Sequence, residues 1–178
     1  MRLFSFFKPK AAKTTESVQE ADLELVAPIS GTILSLKDVP DLVISEKLVG
    51  DGIAIIPSSD KLLAPFDGMI TRVLASNNAF AIRSDNNIEV YVTFGIGTNS
   101  FTGEGFTSNV SLGDKVKKGD PVINIDLNVA TKDLESTATS MIVINSSADI
   151  AKVIGTSGKV QAGVTTCAWV ILGLNKAE

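Results

Sequence analysis

The chain has no histidine at all and a single cysteine, Cys167. Without imidazole it has no side chain whose ordinary charge change falls between pH 5 and 8. The usual ligands of a zinc or other transition-metal site are missing as well. No loop has the acidic spacing of a calcium site, so neither a metal nor a cofactor is expected. One cysteine excludes a disulfide framework. Followed by Ala168-Trp169-Val170-Ile171, it reads as a small buried hydrophobe in a reducing compartment. No apolar run is long enough for a membrane helix, and Leu3-Phe4-Ser5-Phe6-Phe7 is too short for a secretory signal. A cytoplasmic location is expected. Positive charge is the scarcer sign, with 16 Lys and Arg against 20 Asp and Glu. The body of the chain carries no basic cluster to grip phosphates, so no nucleic-acid partner is expected.

What is present is an apolar composition of 44% over 178 residues, enough for one domain with a core of its own. Residues 1–20 stand apart and read as a flexible N-terminal arm, with the domain at 21–178. In the arm, Leu3, Phe4, Phe6 and Phe7 lie beside Arg2, Lys8 and Lys10. That mixture predicts weak contact with an anionic membrane surface. From residue 23 onward, short apolar or alternating runs are separated by Gly, Pro, Asp and Ser, the pattern of an all-β protein. The fold class expected is an antiparallel β-sandwich or distorted barrel with a few short helices. The clearest alternation is Ile88-Glu89-Val90-Tyr91-Val92-Thr93-Phe94. Helical turns are expected within 40–49, 131–136 and 147–154, the last opening on the capping-competent Ser147. Ala27-Pro28-Ile29-Ser30-Gly31 is echoed by Ala64-Pro65-Phe66-Asp67-Gly68, each reading as a strand end, a turn and a new strand.

Several landmarks in order carry a more specific message. They are Ala27-Pro28 with Gly31, the run from Glu46 through Gly50-Asp51-Gly52 to Ile55, Ala64-Pro65 with Gly68, and Ser76-Asn77-Asn78-Ala79-Phe80. After these come Val90 to Thr98, Gly103-Glu104-Gly105-Phe106, and Val116 with Gly119-Asp120. Together they resemble the glucose-type enzyme IIA family, the phosphocarriers of the bacterial phosphoenolpyruvate-dependent sugar phosphotransferase system. The resemblance spans about residues 23 to 172 and implies a β-sandwich in which two segments each present one histidine. The later histidine takes the phosphoryl group and the earlier one assists. Here those positions hold Thr93 and Asn78. An amide nitrogen only donates, and a hydroxyl needs a neighbouring base to become a nucleophile. No catalytic residue is therefore intact, and no enzymatic role is expected. The intermolecular zinc site that the family builds from both histidines is equally out of reach. The surroundings of Ser76 and Gly97 depart too, since the family usually has an acid at 97, an apolar residue at 99 and a glycine at 87.

The resemblance also marks an apolar docking patch at Leu42, Val43, Ile44, Leu48 and Val49, joined by Leu74 and Phe80. A patch kept while the phosphoryl site is lost points to a monomeric protein-binding regulator resembling the unphosphorylated carrier. Its expected partners are phosphotransferase components, sugar permeases or metabolic enzymes. One alternative is a residual phosphoryl carrier using Thr93 or Ser76. Another, a lipoyl or biotinyl carrier, is suggested by the turn from Leu112 to Val122, but neither usual lysine tripeptide is present. The lysines of that turn read as a solvated face.

Overall fold

Short alternating runs become short strands here because each run has one apolar face to bury. The computed structural model describes residues 20–173. In chain order the strands are β1 (Leu23–Val26), β2 (Gly31–Leu34), β3 (Gly50–Pro57), β4 (Lys61–Leu63), β5 (Gly68–Val73) and β6 (Ala79–Arg83). They continue as β7 (Glu89–Thr93), β8 (Ile96–Gly97), β9 (Phe106–Ser108), β10 (Lys115–Val116) and β11 (Pro121–Ile125). Last come β12 (Leu134–Ser136), β13 (Thr139–Ile144), β14 (Ile150–Gly155), β15 (Lys159–Val160) and β16 (Thr166–Leu172). Two single-turn helices interrupt them, α1 (Leu42–Ser45) and α2 (Leu127–Ala130), each opened by an aspartate that accepts from backbone N–H groups.

Neighbouring strands pair antiparallel throughout. The largest sheet runs β10-β5-β6-β7-β13-β3-β2-β15, and the smaller ones are β1-β16-β14, β4-β11-β9 and β12-β8. Ile82, Val90 and Val143 of the large sheet share one buried cluster with Leu25 and Val170 of the second sheet and Ile123 of the third. The fold is thus an antiparallel β-sandwich. Side chains alternate along β7 and β13, so the residues between these core positions face away from the cluster. That outer face carries Tyr91, Thr93, Ser140 and Ile142.

The two echoed segments meet at the centre of the sandwich. Val26 N donates to Pro65 O at 3.0 Å and Leu63 N donates to Pro28 O at 2.8 Å, so each turn satisfies the strand entering the other. Corresponding residues then make corresponding bonds. Ser30 Oγ accepts from Ala162 N at 2.9 Å, as Asp67 Oδ1 accepts from Lys118 N at 2.8 Å. A side chain at Gly31 would strike the Ile56 carbonyl at 2.0 Å, and one at Gly68 the Arg83 carbonyl at 2.6 Å. Close approach of two backbones is what both glycines serve.

Two expectations change here. Residues 147–154 are not helical: Ser147 Oγ donates to Ile144 O and accepts from Glu89 N, which ties it to β7 instead of a helix start. Ile150–Gly155 then runs as β14 along β16. Only Thr131–Asp133 of the second segment makes a helical turn, and Leu134–Ser136 is β12, paired with β8. Within the Leu112 to Val122 turn, Asp114 and Asp120 each accept from the backbone N–H three residues earlier. Lys115, Lys117 and Lys118 are exposed. Leu3, Phe4, Phe6 and Phe7 lie outside the described residues. Among the described residues, no helix is long and apolar enough to cross a membrane.

Candidate functional site

The outer face of the large sheet is left open beside α1, and a depression of about 470 Å³ forms there. Its floor is polar but uncharged: Ser76, Asn78, Tyr91, Thr93 and Ser140. Its walls are apolar, with Val43, Ile44 and Val49 on one side and Ile96 and Phe101 on another. Strand register explains the floor. Thr93 stands opposite Ala79 on one neighbour and Ser140 on the other, so small residues flank it on both sides.

Asn78 reaches the floor because the backbone before β6 leaves the extended conformation. Asn77 has a φ of +54°, a left-handed conformation that asparagine tolerates better than most residues. Asn78 itself is buried and bonded at both ends of its amide. Its Nδ2 donates to Phe94 O at 3.1 Å, its backbone O accepts from Phe94 N at 2.8 Å, and its Oδ1 accepts from Ser76 Oγ at 2.6 Å. These bonds fasten the start of β6 to the end of β7. The amide therefore holds the site together, with no free lone pair on nitrogen to attack anything.

Neither hydroxyl has a base beside it. Ser76 donates to an amide oxygen, which does not take up a proton near neutral pH. Tyr91 shares the floor with Thr93 and its phenol is influenced by the Thr93 hydroxyl. Burial pushes its phenol up, while the Arg72 charge and the Thr93 hydroxyl pull it partly back. A phenol held above its ordinary range stays protonated at neutral pH. The one carboxylate of the depression, Asp41, caps α1 by accepting from Val43 N and Ile44 N at 2.8 and 3.1 Å. Among the described residues no lysine or arginine lines the depression, and the positive charge felt at its floor is that of Arg72 acting on Tyr91.

The structure brings most of the expected site residues together. Asn78, Thr93, Ser76 and Gly97 share the depression with Val43, Ile44, Val49 and Leu74. Leu42 and Leu48 stand outside it but are 76% and 67% exposed, next to Val43 at 45% and Val49 at 47%. Phe80 is the exception. It pairs opposite Val92 and points into the core cluster, fully buried, so it presents no surface to a partner.

Register and loop packing add residues that the chain's pattern does not advertise. Ser140, Ile142 and Ile144 enter from β13, and Phe101 arrives from the loop after β8. Phe101 lies against Gly97, where a Cβ would come within 2.8 Å of its ring. Its ring meets Phe106 edge-on at 5.9 Å, and Phe106 meets Phe94 at 5.6 Å. An aromatic chain thus links this wall to the core. Asn87, where the resemblance implies glycine, has a φ of +64°. The left-handed backbone is what glycine supplies and asparagine accepts.

Comparison with known proteins sets this geometry in context. Residues 23–149 match the family described as the phosphoenolpyruvate-dependent sugar phosphotransferase system, EIIA 1. A glucose-specific EIIA component from Haemophilus influenzae is 41% identical over 171 residues, covering 96% of this chain and 98% of that one. A glucose-specific EIICBA component from Staphylococcus saprophyticus is 35% identical over 146 residues, which cover 78% of this chain but 22% of the relative. Among solved structures, glucose permease IIA from Mycoplasma capricolum superposes with a TM-score of 0.74 at 31% identity. That match covers 82% of this chain and 94% of the other.

Proposed function

The chain belongs to the EIIA 1 family of the phosphoenolpyruvate-dependent sugar phosphotransferase system, and from that premise we propose that it acts in sugar transport as a protein-binding regulator. It does not carry phosphate in this role; it resembles the unphosphorylated form of a carrier and stays in that form. Asn78 and Thr93 stand where the family's histidines act. The observation that supports this most strongly is the floor of the depression, where every polar group is neutral, both Nδ2 and Oδ1 of Asn78 are hydrogen-bonded and, among the described residues, no carboxylate or amine bonds either hydroxyl. A phosphate on Thr93 or Ser76 would be an ordinary ester, not a labile phosphoramidate, and passing it onward would run uphill.

The binding role rests on what surrounds that floor. Four aliphatic side chains between Leu42 and Val49 are exposed on and beside α1, contiguous with an apolar-walled hollow. Exposed apolar surface around a concave centre with a polar floor suits protein recognition. The partners proposed are permease or other components of the phosphotransferase system on the cytoplasmic side of the membrane. In the Staphylococcus relative, the EIIA portion shares one chain with EIIC and EIIB portions.

Two measurements test this. Incubation with phosphoenolpyruvate and the upstream carriers of the system, followed by intact-mass analysis, should show no added phosphoryl mass. A labelled form that passes its group onward would overturn the regulator reading. Capture of permease EIIB or EIIC components should fall at least tenfold, about 1.4 kcal/mol, in the variant Val43→Asp with Leu48→Lys. Both positions are exposed, so stability should change by no more than about 0.5 kcal/mol each. Undiminished capture by that variant would place the docking surface elsewhere.

A further inference from the structure

The exposed aliphatic surface has a counterpart in the same chain. Residues 1–19 carry Leu3, Phe4, Phe6 and Phe7, together with Arg2, Lys8, Lys10 and Lys13 against one acid, Glu16. The remaining residues hold 12 Lys and Arg against 19 Asp and Glu. Cationic residues are thus concentrated at the N-terminus of a chain whose body is acidic. The depression repeats that contrast locally. Among the described residues Asp41 lines it and no cation does, Arg72 acting only from beside Tyr91. Along α1 and its flanks Asp38, Asp41 and Glu46 stand with no Lys or Arg between them. Lys37 lies just before this stretch, and Lys47, just after it, is answered by Asp51 at 2.9 Å.

The reach is sufficient. Asn86 Nδ2 donates to Asp22 O at 3.3 Å, so the chain enters the fold beside the turn between β6 and β7. Thr93 closes the far end of β7, roughly 17 Å along a five-residue strand. The segment between Phe7 and Glu20 spans up to about 45 Å when extended, at roughly 3.4 Å per residue. It can therefore pass around the end of the sheet to the outer face with slack to spare.

We propose that the aromatic segment Leu3–Phe7 seats in the depression beside α1, its flanking lysines and arginine facing the acidic rim, and thereby competes with a protein partner for the same surface. Because the segment is tethered, it acts at a high effective concentration, so even a weak contact masks the patch measurably. The competition rests on the docking role proposed above; the seat itself does not, and can be tested with no partner present.

The test places a nitroxide label on Ser5→Cys in the full chain. Cys167 is buried and its thiol is pushed up to about 12, so it resists the labelling reagent. Paramagnetic broadening of amides should concentrate at Val43, Leu48, Val49, Ile96 and Phe101, persist on dilution, and disappear when Phe4, Phe6 and Phe7 are replaced by serine. Broadening spread evenly over the surface, or focused on another face, would overturn the seat. A mixed sample, with label on one population and isotope on the other, detects a second copy. Broadening confined to that mixture means the segment docks in trans and also overturns the proposal. Vesicles containing anionic lipid are added as a further arm. If the labelled segment binds them while the depression shows no broadening in their absence, the membrane is its seat instead. With the seat established, the same serine replacements should raise affinity for a captured permease component several-fold. Unchanged affinity would remove the competition while leaving the seat and the docking surface each judged by its own result.

Discussion

Asn78, which the resemblance sets at one of the family's histidine positions, is held as a structural residue. An imidazole there could be free to assist a reaction, whereas the amide is held by a donor, an acceptor and its own backbone, all within 3.1 Å. Phe80, two residues on, has the opposite character: it is core. Phe80→Ala should cost about 3–5 kcal/mol by denaturant titration, and a loss of partner capture in that variant should track unfolding. Asp67 is the residue with a pH signature. The Lys118 N–H bond holds its carboxyl below the ordinary range; desolvation opposes it, and the Lys117 hydrogen bond and the Lys117 and Lys118 charges reinforce it. A depressed carboxyl stabilises the fold at pH values above its unfolded pKa of about 4. That contribution should fade as pH drops through its lowered folded value. Asp67→Asn should therefore flatten the acid limb of the stability curve, measured between about pH 5 and 2. An unchanged acid limb would show that the turn holds without the charge.

At the level of elements, β8 and the loop to Phe101 shape one wall of the site. Gly97 has no room for a side chain while Phe101 stays where it is. The resemblance implies an acid at this position, so restoring one is informative. Gly97→Glu should destabilise by about 1–3 kcal/mol through overpacking, and Phe101→Ala in the same chain should relieve part of that cost. A double-mutant cycle reads the coupling. Additive effects would mean the ring does not contest the space. The twin turns teach a related lesson about elements. Their echo in the chain is only five residues long, yet Pro28 and Pro65 accept from each other's incoming strands. Neither turn is complete without the other.

Across the whole molecule, the proposed loss of phosphotransfer involves more than Asn78 and Thr93. Changing Asn78→His and Thr93→His together should recover little phosphotransfer, because the resemblance implies other residues at Gly97 and Asn99 and, among the described residues, no cation lines the depression. Full recovery in the intact-mass assay would show that the scaffold lost only its imidazoles. Much of this was legible from residue order. The absence of histidine, the alternation of β7 and the glycine–proline turns are local facts, and they specify a β protein unable to carry phosphate on imidazole. What residue order left open depended on long-range pairing. Ser147 reads as a helix cap until Glu89 N–H claims its oxygen from 58 residues away. Phe80 reads as surface until β7 sets Val92 opposite it. Phe101 carries no signal in the pattern of the chain, and Gly97 and Phe106 give it its seat. Backbone propensity and side-chain chemistry act over a few residues, so the chain could declare its class and its lack of imidazole. Which side chains share a hollow is settled by strand register, and register exists only once distant segments have met.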